Sequence, residues 1–106
     1  MPRPPRLSPE DVSAALTRLP SWSGDADGIE RTAKLPSFRD AVDTVVAIAD
    51  IAEEMDHHPD IDLRWRTLRI AVVTHSAGGL TELDLELARR IDALLPIARP
   101  SGSATS

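Results

Sequence analysis

Between positions 61 and 72 apolar and polar residues alternate almost without interruption. Ile61, Leu63 and Trp65 alternate with Asp62, Arg64 and Arg66, and Leu68, Ile70 and Val72 resume the pattern further on. A period of two puts successive side chains on opposite faces of a strand, so this stretch commits the chain to a sheet with one buried face. The residues near Arg66 and Thr67 then have to form a tight turn or bend between two strands. Upstream, the period changes. Phe38, Ala41, Val42, Val45, Ile48, Ala49, Ala52 and Met55 recur at helical spacing and form one stripe. Ser37 caps that helix, with Asp40 three residues on as a variant of the capping box. The helix is expected to run to about Asp56 or His57. Pro59 cannot continue it and biases His58 towards an extended conformation.

The remaining segments fit around this helix and hairpin. Residues 1–7, rich in proline, read as a loose arm. Ser8 caps a first helix, Pro9 suits its first position and Asp11 is an acid in its first turn. Val12, Ala15, Leu16 and Leu19 give that helix its apolar side, and Pro20 ends it. Trp22 opens a strand, residues 24–28 carry turn chemistry, and Ile29, Arg31, Ala33 and Leu35 alternate along a returning strand. After a loop at 76–79, Thr81 caps a third helix with Asp84 at its third position. Leu80 and Leu85 have the spacing of a hydrophobic staple. Ala88, Ile91 and Leu95 form its buried face, Pro96 closes it, and residues 97–106 read as a disordered tail. The order is α-β-β-α-β-β-α in a single domain at 8–96. The two-layer solution for that order is an α+β fold, a four-stranded antiparallel sheet with three helices packed on one face.

Composition narrows the chemistry. The 106 residues include no cysteine, which removes disulfides, thiolate catalysis and cysteine–zinc sites. A net charge of -5 without a basic patch argues against nucleic acid as a partner. The most apolar run, at 41–52, is broken by Asp43 and Asp50, so no membrane span is expected. The first seven residues lack a secretory core, and a cytoplasmic protein is the expectation. All three histidines, His57, His58 and His75, fall within residues 53–84. Histidine titrates near neutral pH, so such a cluster points to proton transfer or metal binding. Neither H-x-H nor H-x-x-x-H spacing occurs, which disfavours a metal. There is no G-x-S-x-G elbow, and Gly78-Gly79 lacks phosphate-loop spacing. Glu53 and His57 are four apart at a helix end and share a face. They read either as an acid orienting an imidazole or as a solvated pair in which the helix dipole favours His57. Asp84 suits both first-turn capping and a role in the site.

The pattern Glu53-x3-His57-His58-Pro59-x5-Trp65-x9-His75-x8-Asp84 resembles the signature of the pterin-4a-carbinolamine dehydratases, small α+β proteins with this order of elements. Trp22, Phe38 and Gly79-Leu80-Thr81 add to the likeness, which spans nearly all of the chain outside its ends. The resemblance implies a hydro-lyase that converts a 4a-hydroxytetrahydropterin to a quinonoid dihydropterin and water in tetrahydrobiopterin recycling, without a cofactor. It implies that His57 and His75 act as the acid–base pair and that His58 chiefly positions the pterin. Asp56, Val73, Thr74, His75 and Ser76 would line the pocket, and Glu53, Asp84 and Trp65 would support it. It also implies a homo-oligomer, a dimer or tetramer. Ala33 and Leu35 stand where members often carry aromatics, and Trp65 where many carry tyrosine. Two other functions remain open on the sequence: a non-catalytic dimerisation or interaction module that kept the fold, and a pterin-binding protein of molybdopterin metabolism.

Overall fold

The computed structural model describes residues 4–95. In chain order these form α1 (Pro9–Leu16), β1 (Ser23–Asp25), β2 (Gly28–Lys34), α2 (Phe38–Met55), β3 (Asp60–Arg64), β4 (Thr67–Val72), a 3-10 turn (His75–Ala77) and α3 (Glu82–Leu94). The strands lie in the spatial order β1-β2-β4-β3, and every pairing is antiparallel. The three helices cover one face, as the order of elements predicts. No helix among the described residues is long and apolar enough to cross a membrane.

Short polar side chains start the helices where the sequence places them. Ser8 Oγ accepts the Asp11 N–H at 3.1 Å, and Ser37 Oγ accepts the Asp40 N–H at 3.0 Å. Each satisfies a donor that the first helical turn leaves free. At α3 the box is complete. Thr81 Oγ1 accepts the Leu83 N–H at 3.2 Å, and Asp84 Oδ2 accepts the Thr81 N–H at 2.9 Å. Leu80 and Leu85, at staple spacing, are both buried.

The inner face of the sheet follows from parity and register. Ile29 stands opposite Val72, Arg31 opposite Ile70, and Ala33 opposite Leu68. Ile29, Leu68, Ile70 and Val72 meet the fully buried Ile48 of α2 and Leu87, Ala88 and Ile91 of α3. A cation sits within this layer. Arg31 Nη1 lies 2.5 Å from Asp92 Oδ1, which also accepts the Trp22 Nε1–H at 2.8 Å. The carboxylate of α3 thereby ties β2 and the segment before β1 to the last helix.

Several expected boundaries shift. α1 ends at Leu16, and the buried Leu19 is carried instead by successive turns, Leu19 N–H to Leu16 O and Trp22 N–H to Leu19 O. β1 begins at Ser23 rather than Trp22. Only Ala26 and Asp27 separate it from β2, with the Asp27 N–H bonded to Asp25 Oδ1 at 2.8 Å. The strand expected at 61–66 ends at Arg64. Trp65 and Arg66, not Arg66 and Thr67, form the turn, with Trp65 at φ 56°. β3 is an edge strand, so its alternation produces less burial than the sequence implies: Leu63 is half-buried and Ile61 exposed. On α2, Ala41, Ile48 and Ala52 are buried, whereas Phe38 and Ala49, expected in the same stripe, are exposed. Residues 6 and 7 of the expected arm are tied down, through an Arg6–Asp27 ion pair at 2.7 Å and a Leu7 N–H to Leu80 O bond at 2.8 Å. Pro96 and the expected tail at 97–106 lie outside the described residues.

Candidate active site

Four chain segments meet at one end of the sheet. α2 ends there, β3 begins, β4 ends and α3 begins. Asp60 pairs with Ala71, so residues 57–59 run beside the chain leaving β4. Antiparallel pairing alone therefore brings the His57-His58 dipeptide next to the segment that carries His75.

The exit from α2 decides where the histidines point. Asp56 adopts a left-handed conformation (φ 51°, ψ 45°), its N–H reaching Glu53 O at 3.3 Å, and the His57 N–H reaches back to Ala52 O at 3.0 Å. This is a Schellman closure with aspartate where glycine is usual. The reversal turns His57 inward, to 7% exposure, and leaves His58 outside. A side chain in this region costs about 1 kcal/mol or somewhat less for aspartate. Asp56→Gly is accordingly expected to hold or raise stability by up to about 1 kcal/mol, and Asp56→Val to lower it by about 1–2 kcal/mol. Urea melts of both variants check this, and a stabilising valine would contradict it.

His57 meets α3. Its Nε2 lies 2.6 Å from Asp84 Oδ1, and Asp84 is completely buried. The other carboxylate oxygen, Oδ2, accepts from Thr74 Oγ1 at 2.7 Å and from the Thr81 N–H at 2.9 Å. Thr74 and Thr81 share a hydroxyl–hydroxyl bond at 2.9 Å. Asp84 therefore combines the two roles open to it in the sequence: one oxygen caps α3 and the other holds an imidazole. Three donors on a buried carboxylate supply what burial takes away from it.

Glu53 does not orient His57. It bonds His58 instead, at 2.6 Å, with both side chains largely in solvent. The four-residue spacing that suggested the Glu53–His57 pair assumes the helix continues, and the Asp56 reversal removes that condition. His75 is exposed and opens the 3-10 turn. Its loop is firmly closed. Thr74 and Gly79 exchange backbone bonds at 3.1 and 3.3 Å, the His75 carbonyl accepts from the Gly78 N–H at 3.0 Å, and the Leu80 N–H reaches Ala26 O at 2.9 Å. A side chain at Gly79 would put a Cβ 2.5 Å from Ala26 O, so only glycine allows the loop to lie this close to the β1–β2 turn.

The other residues expected at the site divide. Asp56 and Ser76 are exposed and Val73 half-buried, all within the converging segments. Thr74 points inward, with its hydroxyl and both backbone groups bonded inside the protein. Trp65 stands at the opposite end of β3, about 15 Å or more along the strand from Asp60. It is 67% exposed, with the Arg66 guanidinium 4.7 Å from its ring. The structure does not bring it to the histidines. Thr81 was expected only as a cap, and its hydroxyl contact with Thr74 adds it to the polar cluster. Thr74, expected at the site, lies on the inner face that 68, 70 and 72 share by parity. Among the described residues no group of three or more His, Asp or Glu is arranged to hold a metal ion. A cleft of about 810 Å³ lies elsewhere, between α1 and α3, lined by Leu7, Arg18, Leu85 and Arg89 among others. Of the three histidines at the sheet end, His58 and His75 are exposed and His57 is buried.

Comparison with known proteins finds relatives along most of the chain. The family described as Pterin 4 alpha carbinolamine dehydratase matches residues 5–94. A Mycolicibacterium smegmatis protein, provisionally named a pterin-4-alpha-carbinolamine dehydratase, is 51% identical over 89 residues, covering 84% of this chain and 95% of that one. The crystal structure of a transcriptional coactivator/pterin dehydratase from Brucella melitensis superposes with a TM-score of 0.82 at 31% identity, covering 86% of this chain and 99% of that one. A pterin dehydratase-like protein identified as a RuBisCO assembly factor in the alpha-carboxysome shares the fold, with a TM-score of 0.59 at 22% identity over 73% of this chain and 89% of that one.

Proposed function

The chain belongs to the pterin-4-alpha-carbinolamine dehydratase family, and on that premise we propose that it removes water from a 4a-hydroxytetrahydropterin to leave a quinonoid dihydropterin, in tetrahydrobiopterin recycling in the cytoplasm. The observation that carries the reading is the buried His57–Asp84 pair beside the loop that presents His75. The reaction needs two proton transfers. The bond from C4a to its hydroxyl oxygen breaks as that oxygen gains a proton and leaves as water. The neighbouring ring nitrogen loses its proton, and its electrons form the new double bond to C4a. Both transfers are general acid–base steps suited to imidazole near neutral pH. His57 and His75 come from different segments and can serve opposite parts of a flat ring. His58, Asp56, Val73 and Ser76 surround the ring and set its position. Proton transfer alone balances the reaction, so the proposal includes no cofactor. The test is the decay rate of a carbinolamine in the presence and absence of the protein.

A homo-oligomer is part of the proposal. β1 and β3 are the two sheet edges, and β3 presents five residues with Ile61 38% exposed. An open edge is a template for another strand, and a symmetric dimer is the commonest closed assembly. Phe38 and Val46 leave more apolar surface exposed on α2. Sedimentation at micromolar concentration is expected to give at least twice the 11.5 kDa of the chain, and a monomer mass would count against the proposal.

A second reading, an interaction module without catalysis, draws on the assembly-factor role named for one structural relative and on the exposed Phe38, Val46 and Trp65. Wild-type protein that binds partners but leaves carbinolamine decay unchanged would favour it.

A further inference from the structure

The hydrogens of the buried cluster can be placed by counting. Asp84 is a carboxylate and brings none. Thr74 Oγ1 has one proton and gives it to Asp84 Oδ2 at 2.7 Å. Its 2.9 Å contact with Thr81 therefore has Thr81 as donor, and Thr81 Oγ1 keeps a lone pair for the Leu83 N–H at 3.2 Å. The Thr81 N–H takes the remaining approach to Oδ2. The 2.6 Å contact at Oδ1 then has to be donated by His57 Nε2. The Thr74 hydroxyl is also 3.5 Å from that nitrogen, too far to compete with the carboxylate. The second ring nitrogen, Nδ1, has no hydrogen-bond partner among the described residues and is not sealed from solvent.

From this arrangement we infer that Thr74 is a positioning residue for His57. Its hydroxyl braces Asp84 from the far side, so that the carboxylate fixes neutral His57 as the Nε2–H form and leaves Nδ1 as the nitrogen that exchanges a proton with the substrate. The catalytic part of this inference rests on the dehydratase reading; the placement of the proton does not. It also changes what Thr74 is for. A residue expected to line the pterin pocket acts from inside the protein, through Asp84 and His57, without touching substrate. The hydroxyl at this position is one of two donors to Oδ2 among the described residues, and a methyl of the same shape would leave that oxygen with the Thr81 N–H alone. With its brace removed, the carboxylate is free to rotate and the imidazole to exchange tautomers.

Long-range proton–nitrogen NMR of histidine side chains distinguishes the two neutral forms without substrate. Wild-type His57, assigned by its loss in His57→Gln, is expected as the Nε2–H form alone. Thr74→Ser is expected to keep that spectrum and wild-type turnover. Thr74→Val is expected to give mixed tautomers and to lower kcat about tenfold with KM within about twofold, the pattern of a lost transition-state arrangement rather than lost binding. An Nδ1–H form in wild-type protein would overturn the inference whether or not any variant folds. So would a Thr74→Val protein with wild-type tautomer and kcat. A wild type that shows the expected tautomer but does not accelerate carbinolamine decay would remove the dehydratase reading and leave the bracing role in place.

Discussion

His57→Ala and His75→Ala are each expected to lower kcat for carbinolamine dehydration by at least about tenfold, and the double variant by about 10²–10⁴-fold, the usual worth of general acid–base catalysis. Each imidazole is expected to cover partly for the other, because water can replace one proton carrier more easily than two. The effect should fall on kcat. His57 is held at Nε2 by a buried carboxylate and has one nitrogen left for chemistry. His75 sits on a closed loop whose backbone bonds do not involve its ring, so truncating it leaves the loop intact. His58 is different. It is 54% exposed and, among the described residues, its side chain is tied to the solvated side chain of Glu53. His58→Ala is expected to raise KM more than it lowers kcat, the mark of lost substrate positioning. Wild-type kcat in both single variants, with folding verified, would mean that the histidines do not carry the protons.

Asp84→Ala is expected to cost about 3–5 kcal/mol of stability, because it leaves several buried donors without their acceptor, at about 1–3 kcal/mol each. Asp84 is completely buried and receives three donors, His57 Nε2, Thr74 Oγ1 and the Thr81 N–H. Alanine leaves all three without their acceptor and also opens the cap of α3, whose loss alone costs about 1 kcal/mol. A small domain has about 5–15 kcal/mol in total, so the variant should melt at least about 12 °C lower. A shift of only two or three degrees would show that water reaches the cluster and that its burial does little for the fold. Glu53→Ala provides the contrast. Its bond to His58 is solvated, and exposed pairs are worth about 0–1 kcal/mol.

The features legible in the sequence were those governed by local chemistry. Ser8, Ser37 and Thr81 cap because a short side-chain oxygen before an apolar stripe satisfies free N–H groups, whatever lies elsewhere in the chain. The alternation of Leu68, Ile70 and Val72 marks a central strand buried on one face, and β4 is one. Legibility was lost where distant segments compete. Trp65 continues an alternating run, yet a two-residue hairpin takes it out of the strand. Glu53 and His57 share a helical face only if the helix continues past Asp56. Asp92 lies 61 residues from Arg31 and 70 from Trp22, so nothing local announces the buried cation's partner. Phe38 is exposed because no described element covers that side of α2. At the site, the histidines and Asp84 were visible as residue types at particular spacings. The hydroxyls that orient them were not, because a threonine on the inner face of a strand looks the same whether it packs or bonds.

The central claim is that this chain dehydrates a pterin carbinolamine through its own histidines. The most direct measurement is stopped-flow decay of a freshly generated 4a-hydroxytetrahydropterin in excess chelator, with wild-type protein, with the His57→Ala/His75→Ala variant and with buffer alone. The expected result is a decay rate that rises in proportion to wild-type concentration despite the chelator and falls to within about tenfold of buffer in the double variant. Decay with wild-type protein no faster than in buffer, or equal acceleration by the double variant, would contradict the account.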